Sequence, residues 1–303
     1  MECKIVGKYN GFTFILFPGA GSHYHSWDHS YINAKTLHSK EHPTKTNFIS
    51  TLKSISQVFM YTPYEYVASF GFEKYKNTKV KYPPNKELLI KAHCKRVYQH
   101  LKKNNIKAPY ILIGHSIGGF FAMTFAKLFS KEVNRVFLID PTKHTKDLKD
   151  FSANEFYRLT YHNDMFADKN DKFTNQILEG MIKFLDTFPK DNKYNVFKDY
   201  IVHKIEDFFF LKLVYYWDVK SWNQVPDKLA NHIKIVSMFD IPSKKHQVFK
   251  DIIDVRLMTK NYDTILKNNN KNYKSYFFID RSHFLHWSDV DKVLNIIKNN
   301  LHF

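Results

Sequence analysis

Six short runs of apolar residues divide the chain, and most are continuous instead of alternating between apolar and polar positions. They are rich in Ile, Val, Phe and Tyr, and a continuous run of this kind is typical of a strand buried on both faces. The runs are Phe12–Phe17, Gln57–Tyr61, Tyr110–Ile113, Arg135–Ile139, Ile233–Met238 and Tyr276–Ile279. We therefore predict strands of a mostly parallel central sheet.

Segments with helical periodicity lie between these runs. Helices are predicted over residues 86–103, 118–129 and 288–301, because apolar residues recur there at helical spacing. The last of them has an apolar face made of Val290, Leu294 and Ile297. Strands that alternate with helices indicate an α/β fold in which helices flank the sheet.

The stretch from Thr142 to Asp227 interrupts this alternation. It has helical patterns, no clear strand, and aromatic clusters at Phe208–Phe210 and Tyr215–Trp217. A helical insertion between two strands of a parallel sheet is typical of a cap over an active site. We predict a core of residues 1–141 and 228–303 with a helical cap over 142–227. The cap aromatics indicate an apolar substrate, and most of them also fit packing of the cap on the core.

The charge and composition of the chain bear on the kind of partner it binds and on its cellular location. Lys and Arg number 46 against 29 Asp and Glu, a net charge of +17, which is typical of proteins that bind anionic surfaces. The lysines are spread along the chain, however, so we expect no specific nucleic-acid partner. Two cysteines make no disulfide framework, and neither a signal peptide nor a transmembrane span is predicted. A cytoplasmic location is expected.

The most informative segment is Tyr110–Gly119, which reads Tyr-Ile-Leu-Ile-Gly-His-Ser-Ile-Gly-Gly. It predicts a buried strand, a sharp turn at Ser116 and a helix that starts at once. Such a turn lifts the serine hydroxyl clear of the sheet, and it requires small residues at Gly114 and Gly118. The helix N-terminus behind the turn stabilises developing negative charge. Ser116 is the candidate nucleophile.

With these residues the chain resembles the α/β-hydrolase family, whose nucleophile lies on the same strand–turn–helix unit. Residues 14–21, which read Phe-Ile-Leu-Phe-Pro-Gly-Ala-Gly, resemble the family's segment after its third strand, with Pro18 where His is common. The resemblance implies an oxyanion hole made of two backbone amides, those of Ala20 and Ile117. No cofactor is implied.

The resemblance also implies a general base near the C-terminus. Residues 279–287 read Ile-Asp-Arg-Ser-His-Phe-Leu-His-Trp and lie between the last predicted strand and the last helix. His283 matches the family's catalytic position, with Ser282 in place of the usual Gly. His286 is the alternative base, although it also fits a partly buried histidine that caps the helix.

Two aspartates are candidates for the acid that orients this base. Asp240 follows the predicted strand Ile233–Met238, in the family's commoner position, whereas Asp140 follows Arg135–Ile139 and precedes a proline. Either aspartate preserves the order Ser–Asp–His along the chain, so this order does not distinguish between them. We favour Asp240 and keep Asp140 as the alternative.

A histidine-rich loop follows the predicted oxyanion segment. It contains His23, His25, Asp28 and His29, whose spacing is loose and which lack a second convincing cluster of ligands. Such a loop fits the lining of a substrate entrance better than a metal site. No metal is expected.

Together these features predict a serine hydrolase that cleaves an ester, thioester or related acyl bond of a small molecule, with an apolar acyl group. An acyl-thioesterase, acyltransferase or lyase on the same fold is the alternative within enzymes, because a fold does not fix a reaction. A catalytically inactive binding protein is the alternative outside them.

Overall fold

The structure of the protein is a computed structural model that describes residues 2–19, 24–27, 46–62, 89–141, 225–241, 255–279, 281 and 285–301. Seven strands of the described chain form one sheet. The strands are β1 (Glu2–Val6), β2 (Thr13–Phe17), β3 (Gln57–Thr62), β4 (Tyr110–His115), β5 (Val133–Ile139), β6 (Lys234–Ile241) and β7 (Tyr273–Ile279). The α-helices of the same ranges are α1 (Phe48–Ile55), α2 (Leu89–Lys103), α3 (Gly118–Leu128), α4 (Val255–Asn269), α5 (Leu285–Ser288) and α6 (Val290–Asn299).

The sheet has the order β1-β3-β2-β4-β5-β6-β7. Only β1 runs antiparallel to its neighbour β3, and the other five pairings are parallel. The prediction of a mostly parallel sheet flanked by helices is therefore confirmed. The carboxyl ends of six strands meet at one edge, which is where open α/β sheets bind their ligands.

Helices cover both faces of the sheet, which explains the continuous apolar runs. Every residue of β2 and β4 is buried. Alternate side chains of a strand point to opposite faces, so the sheet separates two apolar layers. One layer packs against α2, α3 and α4, and the other packs against α1, α5 and α6.

The first strand and the helices α1, α4 and α5 are absent from the sequence prediction. β1 lies at the sheet edge, where Lys4 and Ile5 are exposed, so it has no continuous apolar run. α1 has only eight residues and begins with a side-chain cap, in which Asn47 accepts a hydrogen bond from the Ser50 N–H at 2.8 Å. α4 lies outside the predicted helices, although it has an apolar face that includes Tyr262 and Leu266.

The observed ends of several elements differ from the predicted ends by a few residues, and one of these differences affects the candidate site. The strand predicted over Ile233–Met238 is β6, which extends to Ile241. Asp240 therefore lies inside the strand, next to its last residue, and not in the loop after it. The predicted final helix, residues 288–301, corresponds to α6, and Asp289 separates α6 from the short helix α5 before it.

The predicted cap over 142–227 lies outside the described residues apart from 225–227. In the described part of the chain, no helix combines the length and the apolar character needed to cross a membrane.

Candidate active site

Ser116 occupies the turn between β4 and α3. Its backbone has a φ of +54°, in the left-handed region that costs a non-glycine residue about 1–2 kcal/mol. The Ser116 N–H donates to the Ile139 carbonyl at 3.2 Å, and the Gly119 N–H donates to the Ser116 carbonyl at 2.9 Å. The end of β5 and the start of α3 thus hold the strained turn, and the serine side chain remains partly exposed.

The glycines around Ser116 allow backbone segments to approach without side chains. A Cβ on Gly114 would overlap the Gly118 carbonyl group, and a Cβ on Gly118 would overlap the carbonyl oxygen of Phe17. The expected need for small residues at both positions is confirmed. The contact with Phe17 also brings the end of β2 directly against the turn.

The loop after β2 lies beside the serine. A Cβ on Gly19 would stand 3.3 Å from the Ser116 Cβ, so the Gly19 backbone is within contact distance of the candidate nucleophile. On the other side, Ile117 precedes α3 with a φ of −60° and a ψ of −24°. The first N–H groups of a helix have no acceptor within that helix and carry partial positive charge. These two segments flank Ser116, where the sequence predicts the oxyanion hole.

Asp140 and Asp240 lie at the ends of adjacent strands and are hydrogen-bonded to each other. The Asp140 Oδ1 accepts from the Asp240 N–H at 3.4 Å, and the Asp140 N–H donates to the Met238 carbonyl at 2.7 Å. Asp140 is 4% exposed and has a φ of +35°, whereas Asp240 is less buried. The two candidate acids thus belong to one hydrogen-bond network at the carboxyl ends of the parallel strands.

Asp240 also reaches the connection that leaves β7. Its Oδ1 accepts a hydrogen bond from the Arg281 N–H at 2.9 Å. The Arg281 guanidinium in turn lies 3.4 Å from an Asp289 carboxylate oxygen, in front of α6. The 279–285 connection, in which His283 stands, is therefore anchored to Asp240 at residue 281.

Two other histidines are buried close to the turn. His115 is the last residue of β4, and His286 lies on α5; they are 3% and 1% exposed. Their rings are 4.6 Å apart between centroids. His286, which the sequence offers as the alternative base or as a partly buried helix cap, is fully buried and packs against Trp27 and Phe48.

A family model of the alpha/beta hydrolase fold matches residues 38–232, more than half of the chain. The chain belongs to the α/β-hydrolase family. No curated protein sequence matches it.

Solved structures share the fold of this α/β-hydrolase at low sequence identity. A probable hydrolytic enzyme from Pseudomonas aeruginosa PAO1 has a TM-score of 0.57 and 14% identity, with 99% of this chain and 89% of that chain covered. The epoxide hydrolase CorEH has a TM-score of 0.55 and 13% identity over 98% and 93%. A Salmonella enterica protein provisionally classed as an acyltransferase has a TM-score of 0.58 and 12% identity over 99% and 90%.

Several predicted site residues of the α/β-hydrolase lie outside the described residues. They are the base candidate His283, the oxyanion donor Ala20, and His23, Asp28 and His29 of the histidine-rich loop; the side chain of His25 is likewise not described. The roles of Ser116, Ile117, Asp240 and Asp140 remain predictions, although their backbone positions fit those roles.

Sequence reasoning missed His115 as a residue of interest. A Cβ on Gly19 would stand 2.9 Å from the His115 Nδ1, so this ring supports the loop after β2. A signal for it exists in the sequence. His115 ends an otherwise apolar strand and has the same parity as Ile111 and Ile113, so a polar ring enters the buried face of the sheet.

Proposed function

We propose that the protein is a serine hydrolase that cleaves an ester, thioester or related acyl bond through an acyl-enzyme. The backbone of Ser116 carries this proposal. A left-handed serine between a buried strand and a helix, enclosed by Gly114 and Gly118, costs free energy that an ordinary connection would avoid. Strain of this kind is typical of functional sites, and here it presents a hydroxyl at the carboxyl edge of the sheet.

In the proposed first step, the Ser116 Oγ forms a bond to the substrate carbonyl carbon while His283 takes the hydroxyl proton. The carbonyl oxygen becomes an oxyanion, which the amides of Ala20 and Ile117 stabilise. The bond to the leaving oxygen or sulfur then breaks, and His283 gives its proton to that group. Water, deprotonated by His283, attacks the acyl-enzyme and frees the acid together with Ser116.

Asp240 is the proposed acid of this triad. A carboxylate must accept a hydrogen bond from the second ring nitrogen of His283 and balance the charge of the imidazolium. The hydrogen bond from the Arg281 N–H to the Asp240 Oδ1 supports this assignment, because Arg281 is two residues from His283. Asp140 instead bonds to the Asp240 N–H from the β5 side.

Residues 142–227 are proposed to select the substrate, on the basis of sequence. They join two strands whose carboxyl ends flank the candidate site, β5 and β6, and they contain dense aromatic clusters. Apolar and aromatic linings favour apolar ligands. An apolar acyl chain or ring is therefore the proposed substrate group, and the chemistry requires no cofactor.

The test is a panel of p-nitrophenyl esters and acyl thioesters of increasing acyl length, assayed with the wild type and Ser116→Ala. We expect turnover that depends on acyl length and falls by about 10⁶-fold in the variant. Absence of turnover across the panel, or equal turnover by Ser116→Ala, would contradict the proposal.

A further inference from the structure

Three buried rings meet beneath the candidate active site. The Trp27 and His286 centroids are 4.7 Å apart, those of His115 and His286 are 4.6 Å apart, and those of Trp27 and His115 are 6.3 Å apart. None of the three side chains is more than 3% exposed. Phe48 of α1 closes the cluster, with its ring stacked on Trp27 at 5.8 Å.

Each ring comes from a different segment of the proposed site. Trp27 lies on a short 3-10 helix, Tyr24–Trp27, in the connection that leaves β2 and carries Gly19 and Ala20. His115 directly precedes Ser116. His286 is three residues after His283. The oxyanion connection, the nucleophile turn and the base connection therefore contribute one ring each to this cluster, which we call the ring cluster (Trp27, His115, His286).

The ring cluster touches backbone that the reaction would use. A Cβ on Gly19 would stand 2.9 Å from the His115 Nδ1 and 3.3 Å from its Cε1, so there is no room for a side chain between this ring and the loop. Close-packed interiors transmit displacements, because a shifted ring leaves either an overlap or a void. A movement of the His115 ring toward the loop would therefore displace Gly19, which is the neighbour of Ala20.

We propose that His115 and His286 are positioning residues, which fix the oxyanion and base connections relative to Ser116. This inference rests on the proposed function and deepens it, since neither ring is assigned a proton transfer. Their effect would pass through Gly19 and through the 283–286 segment to the groups that react. Misplacement of reacting groups by about 1 Å can cost about 100-fold in rate.

The test compares His115→Ala and His286→Ala with Ile111→Ala as matched control. Ile111 is fully buried, lies on the same strand and faces the same core layer as His115. It stands four residues earlier, about 13 Å away along the strand. All three variants lose a buried side chain, but only two of them disturb the ring cluster. His115→Leu and His286→Leu retain buried volume and serve where an alanine variant does not fold.

The first measurement is the rate of labelling by a fluorophosphonate, well below the unfolding temperature of each variant. We expect both histidine substitutions, to Ala or Leu, to slow labelling by about 10- to 100-fold, and Ile111→Ala to leave the rate of the folded protein unchanged. The double histidine variant should be slowed by less than the product of the two single effects, because the two rings are in contact. Labelling that slows equally in Ile111→Ala, or that neither histidine substitution slows, would overturn the inference.

The second measurement is hydrogen–deuterium exchange of the peptides that cover 17–27 and 281–289, and it does not depend on activity. A His286 substitution should raise exchange in 17–27, and a His115 substitution should raise it in 281–289, whereas Ile111→Ala should do neither. If the wild type is not labelled, the serine-hydrolase proposal fails, and this exchange pattern alone decides the coupling. Unchanged exchange in the distant segment would overturn it.

Discussion

The Asp240 Oδ1 accepts a hydrogen bond from the Arg281 N–H at 2.9 Å, which joins the end of β6 to the connection that leaves β7. Asp140 approaches the same residue from the β5 side, where its Oδ1 accepts from the Asp240 N–H at 3.4 Å. These two hydrogen bonds therefore connect the aspartates to different segments. Asp240 contacts the connection that contains His283, and Asp140 contacts the backbone of Asp240.

These partners predict opposite outcomes for two matched substitutions. Asp240→Asn should lower kcat by about 10⁴-fold with little change in KM, because an amide neither fixes the correct imidazole tautomer nor balances the imidazolium. Asp140→Asn should cost less than about tenfold, since its amide oxygen can still accept the hydrogen bond from the Asp240 N–H. Steady-state kinetics of both variants on one good ester from the panel provide the measurement.

The opposite ranking has a clear meaning. If Asp140→Asn is the crippled variant and Asp240→Asn is nearly normal, the acid follows β5 and the assignment to β6 is wrong. Thermal unfolding of both variants serves as a control, because a buried aspartate can also contribute to stability.

A methyl group at Gly118 should destabilise the nucleophile turn. Its Cβ would overlap the carbonyl oxygen of Phe17, and backbone cannot rotate away as a flexible side chain can. We expect Gly118→Ala to lower the free energy of unfolding by about 3 kcal/mol, at the upper end of overpacking costs. Gly11→Ala is the control, because its added Cβ meets no atom within 4 Å and its φ of +81° leaves only a strain cost of about 1–2 kcal/mol.

Urea denaturation of both variants measures these differences. A Gly118→Ala protein as stable as Gly11→Ala would show that β2 and the turn separate without cost, which contradicts the close approach on which the proposed oxyanion hole depends.

The sequence predicted the sheet and its nucleophile turn because both depend on local patterns. The run Tyr110–Ile113 is continuous and apolar since both faces of β4 are covered, and the glycines beside Ser116 reflect contacts that no side chain fits. β1 could not be predicted in this way. Its pairing with β3 depends on backbone hydrogen bonds at a sheet edge, where Ile5 is exposed and the apolar signal is lost.

The parts of the site that the sequence left open depend on contacts between distant residues. Asp140 and Asp240 are 100 residues apart, and each lies next to similar turn-forming residues. Only the order of the strands in the sheet shows which segment each aspartate contacts. The packing of His286 on Trp27 and His115 has the same origin, because a helix-start pattern contains no information about which rings face it.

Substitutions in the aromatic clusters of residues 142–227 should change substrate choice more than chemistry. We expect Phe208→Ala and Trp217→Ala to shift the acyl-length profile, because removal of apolar lining weakens the binding of long or bulky acyl groups. Relative kcat/KM values across the ester panel give this profile. A loss of stability with an unchanged profile of the remaining activity would instead indicate that these residues only pack.

The net charge of +17 should produce only weak association with nucleic acid. Dispersed lysines attract phosphates without reading sequence, and this attraction falls steeply with salt. Fluorescence anisotropy with duplex and single-stranded DNA at physiological salt should therefore show no sequence preference and little binding. A tight complex that survives at that salt concentration would show that the charge serves a nucleic-acid site.

The most direct measurement of the central assignment is fluorophosphonate labelling followed by peptide mapping of the adduct. We predict one adduct, on Ser116, with labelling abolished in Ser116→Ala and retained in Ser54→Ala, whose serine is exposed on α1 away from the turn. Circular dichroism should show that both variants are folded. An adduct on another residue, or undiminished labelling of Ser116→Ala, would contradict Ser116 as the nucleophile.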